Sequence, residues 1–301
     1  MRHEPERWRN EYERGGYLVV EDCLDAETLA KLRRGIEKIT ADPDGFPPHL
    51  KRWLDFERDF IKRKPQYNDL SAPQVGNALR NIMELPLFDP VFAELILYRP
   101  LLDVLETLFG TPEFHFHNYK CIIKAPRVSS RFLWHRDLPY LEHSTPNLIT
   151  AMLCLDAMTE QNGATVVLPG THRIPHEPAK PGDMNIPATN WSAGQLFQYT
   201  PSQSRGDMDI PETALPAGPR VTVTCPAEAA VLFHVNIIHG GGANRSEAPR
   251  RNVIGIWAGP DTYPVTAARY AYQGLMPLST DPARRRQVRL TFPHLFREQP
   301  A

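Results

Sequence analysis

After Asp25 the apolar residues Leu29, Leu32, Ile36 and Ile39 recur at three- and four-residue steps, a spacing that gathers them on one face of a helix. Asp25 stands where its carboxylate can cap the first turn. A second helix is predicted over Pro5 to Arg14, with proline tolerated in the first turn and Gly15 and Gly16 ending it. Tyr17 to Val20, between the two, reads as a short strand. The helical period returns over Val91 to Leu97 and Leu101 to Phe109, with Pro100 punctuating it and Gly110 closing it. Residues 40–72 break the pattern with prolines, aspartates and aromatics and are expected to be irregular and lid-like. Residues 1–112 as a whole read as a mostly helical layer.

From residue 114 the period falls to two. FHFHNYKCIIK, LITAMLCLDAM, ATVVLP, RVTVTC, AAVLFHV and NVIGIWA are short β-rich segments divided by Gly, Pro and Asn turns. Many short strands after a run of helices predict a mainly-β fold, a sandwich or barrel with helices packed on one side. Residues 174–219 are polar, proline-rich and weakly periodic, and so long a connection in a compact unit is usually functional or mobile. We find no internal repeat. One domain is expected over 1–301: the helical layer, a β core over 113–260 that contains the long loop, and a C-terminal extension over 261–301.

Composition narrows this picture. With 42% hydrophobic and 23% charged residues in 301, the chain can bury a sizeable core and is not a disordered polymer. Thirty prolines are about twice the usual share of roughly 5% and fall mainly in loops. Lys plus Arg (34) nearly balance Asp plus Glu (35), which disfavours a nucleic-acid footprint over the whole surface. No apolar run approaches the roughly 18 residues of a membrane span, and the charged start MRHEPERWRNEYERGG predicts no secretory leader. Cys23, Cys121, Cys154 and Cys225 show no paired spacing, so reduced thiols in a cytoplasmic protein are the economical reading. The sequence does not show an oligomeric state.

The candidate chemistry begins at Trp134-His135-Arg136-Asp137. On an extended backbone residues i and i+2 point to one side, so His135 and Asp137 can offer a nitrogen and an oxygen to one point. A second histidine from a distant strand would complete two histidines and a carboxylate on one face of a metal, the set used by non-haem Fe(II) oxygenases. His239, ending a strand-like run before Gly240, Gly241 and Gly242, is the best candidate. His234 lies five residues earlier, an odd number, and is expected to face away. Taken alone, the HxD pair is equally a hydrogen-bonded histidine at a strand end followed by a turn aspartate. The segment after His239 separates the two readings.

That segment, HGGGANRSEAPRRNVIGIW, resembles the distal motif of the phytanoyl-CoA dioxygenase-like family of Fe(II)/2-oxoglutarate oxygenases, in which His, Asn, Ser and Arg recur in order. The matching residues here are His239, Asn244, Ser246 and Arg250, the last eleven residues after the histidine and one short of the longest family spacing. WHRDLPY resembles the family's W-H-x-D-L. Asn162 to His172 (NGATVVLPGTH) resembles its N-G…P-G-S/T-H stretch, and GYLVVEDCLDAETLAKLRR is similar to its N-terminal region. The resemblance runs from about residue 15 to 258.

It implies a double-stranded β-helix, the jelly roll shared with cupins. It also implies Fe(II) held by His135, Asp137 and His239, and 2-oxoglutarate and O2 as co-substrates. Arg250 would pair with the distal carboxylate of 2-oxoglutarate, a task suited to the planar, two-pronged guanidinium; Arg251, its neighbour, would face oppositely. Where several family members carry Ser or Thr two residues after the distal histidine, this chain has Gly241. Asn118 and Lys120, on one face of the strand before HxD, are candidates for the metal-side end of 2-oxoglutarate, with Thr150 and Thr165 as weaker ones. Trp134 reads as wall packing. Related halogenases lack the carboxylate, so Asp137 argues for hydroxylation or another oxidation of a C–H bond.

The expected substrate is a small molecule. Arg136, if it faces outward, would join Lys120, Arg127 and Arg131 in an approach suited to an anionic one. Phe60, Tyr67, Trp191, Phe197 and Tyr199 are candidates for a lid, and Arg284, Arg285, Arg286 and Arg289 read as a solvated helix face. Two alternatives stay open: a catalytically silent jelly-roll binding protein, and a cupin-like metalloenzyme that does not use 2-oxoglutarate.

Overall fold

The computed structural model of the protein describes residues 3–141, 143–175 and 209–262, together with 282, 283 and 286. Trp191, Phe197, Tyr199, Arg284, Arg285 and Arg289, with most of the 174–219 loop and of the C-terminal extension, lie outside the described residues.

The helices are α1 (Pro5–Gly15), α2 (Ala26–Ala41), α3 (Pro48–Lys51), α4 (Glu57–Arg63), α5 (Ala72–Val75), α6 (Val91–Ile96), α7 (Arg99–Phe109) and α8 (Leu138–Leu141). The local chemistry explains their ends. Gly16 stops α1 in the left-handed region at φ 79°, where its N–H bonds the Tyr12 carbonyl. Asp25 caps α2, Oδ1 accepting from the Thr28 N–H at 2.7 Å, and the Tyr98 hydroxyl donates to its other oxygen at 2.9 Å. The predicted apolar face of α2 is buried, and a Cβ on its Gly35 would meet the Phe92 ring at 3.0 Å, so α2 and α6 pack at close range.

Eleven strands are described: β1 (Tyr17–Val20), β2 (Leu54–Phe56), β3 (Leu79–Met83), β4 (His115–Lys124), β5 (Phe132–His135), β6 (Leu148–Cys154), β7 (Thr165–Val167), β8 (Val221–Thr222), β9 (Ala230–His234), β10 (His239–Gly241) and β11 (Arg250–Ala258). They form two antiparallel sheets. The larger runs β1-β9-β6-β11-β4-β3-β2 and the smaller β5-β10-β7-β8.

Strand alternation gives the large sheet two different faces. One packs under the helices, where the rings of Phe116, Tyr119 and Trp257 meet tilted or edge to face at 4.6 to 5.5 Å between centres. Gly255 lies among them because a Cβ there would come within 2.3 Å of the Tyr119 ring. The other face joins Met152, Cys154, Val231, Phe233 and Ile254 to Val167 of the small sheet and to Ala164 and Val223 in one buried cluster.

The segment expected to be an irregular lid is different. Residues 40–72 hold α3, β2, α4 and the first residue of α5, and β2 pairs with β3 at the edge of the large sheet. β2 is only three residues long and β3 carries Arg80 and Asn81 among its apolar positions, so neither stands out in the sequence; Arg80 and Glu57 of α4 are buried as an ion pair at 3.5 Å. Phe60 and Tyr67, candidate lid aromatics, pack edge to face at 5.2 Å, with Tyr67 buried.

Candidate metal centre

His135 ends β5 and His239 begins β10, and the two are direct partners across that antiparallel pair. Asp137 lies just beyond β5, where its own N–H and that of Leu138 both donate to the Val235 carbonyl, at 2.9 and 3.0 Å. A turn, not a continued strand, therefore carries the carboxylate to the histidines. Nε2 of His135 and Nε2 of His239 each lie 3.8 Å from Asp137 Oδ1. The three ligand atoms fall within 4.8 Å of one another, close enough for one ion to touch all of them.

The donor set is prepared for a metal. Nδ1–H of His135 donates to the Leu133 carbonyl at 2.7 Å, and that of His239 to the Ile237 carbonyl at 3.1 Å. Those bonds fix the tautomer and leave both Nε2 lone pairs directed at the cluster. Burial, with His135 nearby, lowers the His239 pKa to about 4, so its imidazole is neutral and able to ligate. Burial alone would raise the Asp137 carboxyl, but His239, Lys120 and His135 together with the Thr150 hydroxyl hold it below its usual value. Two imidazole Nε2 atoms beside a carboxylate oxygen fit a divalent cation of the Fe(II) type.

Thr150, expected toward 2-oxoglutarate, instead donates its hydroxyl to Asp137 Oδ2 at 2.9 Å, leaving Oδ1 for the metal. Thr165 is a core residue with its hydroxyl 3.9 Å from Met152 Sδ. Asn118 and Lys120 share the site face of β4. Lys120 is half-buried and near enough to Asp137 and His239 to shift both, and Asn118 Oδ1 is buried without a hydrogen-bond partner.

Arg250 starts β11 on the same face, 2% exposed. Its Nη1 donates to the Gly163 carbonyl, and its Nε is buried without a partner. Arg251 points the other way, as parity predicts, and grips Asp156 with two bonds of 2.9 Å. His234 does not reach the metal cluster. The reason is not strand parity, because residues 235–238 separate β9 from β10; its ring lies beside His172 at 5.5 Å.

Several motif residues build the walls. Asn244 donates from Nδ2 to the Lys124 and Ala248 carbonyls, both at 2.8 Å, while its Oδ1 accepts from the Ser246 N–H and hydroxyl. That knot fixes the loop that delivers Arg250. Gly163 is required by close approach, since it has φ 73° and a Cβ would come within 2.4 Å of the Gly242 carbonyl oxygen. At Gly241 a Cβ would meet the Ala164 oxygen at 3.0 Å.

The basic approach is not formed as expected. Arg136 is buried and turned inward, donating to the Thr171 carbonyl at 3.0 Å and to the Asn236 carbonyl. Arg127 pairs with Glu247, and Arg131 with Asp69 at 3.1 Å. Lys120 alone of the four faces the cluster. Trp134 lies at the wall and donates to Glu212 at 2.8 Å. Sequence reasoning did not single out Lys124, which stands four residues from Lys120 on the same strand face and is the register partner of Arg250.

The sequence profile of the phytanoyl-CoA dioxygenase (PhyH) family matches residues 12–252. The chain belongs to the phytanoyl-CoA dioxygenase family. This family member is 28% identical over 262 residues to a probable phytanoyl-CoA dioxygenase of Caenorhabditis elegans, covering 84% of this chain and 75% of that protein. It is 26% identical over 252 residues to L-proline trans-4-hydroxylase of Streptomyces griseoviridis, covering 81% and 82%. The crystal structure of EctD from S. alaskensis with 2-oxoglutarate and 5-hydroxyectoine superposes with a TM-score of 0.62 at 20% identity, covering 93% of this chain and 89% of that one. At that identity the likeness is one of fold. Among the described residues of this PhyH-family chain, no helix is long and apolar enough to cross a membrane.

Proposed function

We propose that this chain is a single-domain, Fe(II)- and 2-oxoglutarate-dependent dioxygenase that hydroxylates an unactivated C–H bond of a small metabolite. Its two sheets are read as a double-stranded β-helix, and its location as cytoplasmic. The observation that carries the reading is the pairing of two unlike sites on facing sheets: three convergent ligand atoms around Asp137 Oδ1, and a buried Arg250 that forms no ion pair among the described residues. A binding module needs neither a tautomer-fixed ligand set nor a buried guanidinium left without an acid.

Fe(II) and 2-oxoglutarate, when bound, supply the oxidising chemistry, with O2 consumed and succinate and CO2 released. The chain supplies position. His135, Asp137 and His239 would hold the metal through their three convergent ligand atoms. Arg250 holds the far carboxylate of 2-oxoglutarate in a buried setting where a charge-assisted pair is strong. Asn118 and Lys120 face the metal-side end, where they orient the near carboxylate. The half-buried Lys120 also favours an acidic substrate, a preference no longer supported by Arg136, Arg127 or Arg131. Asp137 occupies the position a halide would need, which supports oxygenation over halogenation.

The test is anaerobic titration of the purified protein with Fe(II) and 2-oxoglutarate, following the weak visible charge-transfer band of the chelate. The band is expected in the wild type and lost in His239→Ala. In Arg250→Ala it requires about 10- to 100-fold more 2-oxoglutarate, the size of a lost charged hydrogen bond. A folded wild-type protein with no band overturns the proposal and favours the silent binding module.

A further inference from the structure

We propose that Cys154 and Cys225 form a peroxide-responsive dithiol that closes to a disulfide between the end of β6 and the chain leaving β8. Neither thiol takes part in the reaction proposed above. Their Sγ atoms lie 3.5 Å apart although 71 positions separate them in the chain. Both backbones are pinned. The Cys154 N–H donates to the Ala229 carbonyl at 2.8 Å, and the Cys154 carbonyl accepts from the Glu228 N–H at 3.0 Å. Cys225 exchanges two bonds with Met158, at 2.9 and 3.2 Å. The thiols are thus held face to face, with about 1.5 Å to travel to the roughly 2.05 Å of a disulfide.

The two sulfurs are not equivalent. Cys225 is 8% exposed, whereas Cys154 is fully buried. When Cys225 ionises, the Cys154 S–H donates to its thiolate. That bond, helped by Arg250, lowers the Cys225 pKa against the effect of burial, while the same bond and burial raise that of Cys154. Arg250 is close because it shares a face of β11 with Asn252, the register partner of Cys154. A partly accessible thiol of lowered pKa beside a second sulfur is the arrangement of an attacking and a resolving cysteine. Cys23 and Cys121 belong instead to the core under the helices, where burial pushes both thiols up.

Hydrogen peroxide is the oxidant. The Cys225 thiolate attacks one peroxide oxygen; an S–O bond forms, the O–O bond breaks and hydroxide leaves, so Cys225 becomes a sulfenic acid. The Cys154 thiol then attacks that sulfur. The S–S bond forms, the S–O bond breaks, and the thiol proton departs with the released hydroxide as water. Two electrons pass from the sulfur pair to the peroxide, and an external dithiol returns them.

The experiment treats the reduced, folded, full-length chain with hydrogen peroxide, a chelator keeping iron away, and then alkylates the remaining thiols in denaturant. Mass spectrometry is expected to show the loss of two hydrogens and a single cross-linked peptide pair, Cys154 with Cys225. Cys23 and Cys121 are expected to be alkylated in full, and dithiothreitol to reverse the change. In Cys154→Ser the reaction should stop at a sulfenic acid on Cys225, trapped by dimedone. In Cys225→Ser the Cys154 thiol should react no faster than Cys23 and Cys121. The oxidised wild type should melt about 3 to 6 °C above the reduced form, as closure of a long loop implies, and Cys225→Ser should melt alike with and without peroxide.

Full alkylation of Cys154 and Cys225 after peroxide would overturn the proposal, and would leave the pair as two small core residues in contact. Disulfides scrambled among all four cysteines would overturn it as well, because they would form only in opened protein. So would an oxidised wild type that melts no higher than the reduced one, since the bond would then close only by spoiling the contact between the sheets. None of these outcomes depends on metal or 2-oxoglutarate, so they stand apart from a failure of the reading of the metal centre.

Discussion

Asp137 has two carboxylate oxygens, and the fold uses them differently. Oδ2 accepts the Thr150 hydroxyl at 2.9 Å, while Oδ1 stays 3.8 Å from both histidine Nε2 atoms. Without that hydroxyl the carboxylate is free to rotate, so Thr150 acts as a positioning residue for the metal ligand. Thr150→Val keeps the shape of the side chain and removes its donor. It should weaken metal binding about 10- to 100-fold, the usual effect of losing such a partner, and Thr150→Ser should recover most of it. Competition with a chromogenic chelator measures this directly, and equal affinity in wild type and Thr150→Val would mean that the Val235 carbonyl alone orients Asp137.

The cluster of His135, Asp137 and His239 was legible because the family's motifs carry all three residues, although a turn and not the expected extended strand brings Asp137 to the histidines. The role of Thr150 was not, because a threonine in an apolar strand looks the same whether it faces a methionine, as Thr165 does, or a carboxylate. Arg136 was misread for a related reason: its parity points it away from the metal, and nothing in the sequence shows that two backbone carbonyls wait there.

At the scale of elements, helix periodicity and caps gave α1, α2, α6 and α7 to within a residue or two. The edge strand β2 was hidden by its three-residue length, and its neighbour β3 by Arg80 and Asn81, the first of which serves the buried Glu57–Arg80 pair. The end of β9 carries a consequence for stability. His234 closes that strand against Tyr12 of α1, with ring centres 6.5 Å apart, and its Nδ1 accepts from the Asn236 N–H at 3.0 Å. Burial, with His172 and Arg136 nearby, lowers its pKa from 6.5 to about 4. Between those values the unfolded chain binds a proton that the native protein refuses, so stability falls as pH drops from about 6.5 towards 4 and then levels. His172, lowered by burial and by Arg173, adds to the same slope. His234→Gln removes only the His234 part. Melting temperatures at pH 7, 5.5 and 4.5 should fall less steeply in the variant than in the wild type. Parallel curves would show that His234 is protonated in the native protein at little cost.

Across the whole molecule, the two sheets hold complementary halves of one site. His135 and His239 belong to the small sheet, and Asp137 follows β5, while Asn118, Lys120, Lys124, Thr150 and Arg250 line the facing side of the large sheet. In the described residues the sheets meet through the apolar cluster around Met152, Val167 and Phe233. A metal on the small sheet, chelated by a co-substrate anchored on the large one, adds a second connection between them. Ligand at about 100 times its dissociation constant stabilises the bound state by about 2.7 kcal/mol, or roughly 100-fold in an opening equilibrium. Amides of β5, β7 and β10 that exchange when the sheets part should therefore slow by up to that factor with Fe(II) and 2-oxoglutarate under anaerobic conditions. Amides at the exposed ends of α1 and α2, which exchange by local fraying, should not. Hydrogen exchange read by mass spectrometry separates the two groups. Protection confined to β4 and β11, with β10 unchanged, would mean that the co-substrate binds the large sheet without the metal, and that the two halves do not work as one site.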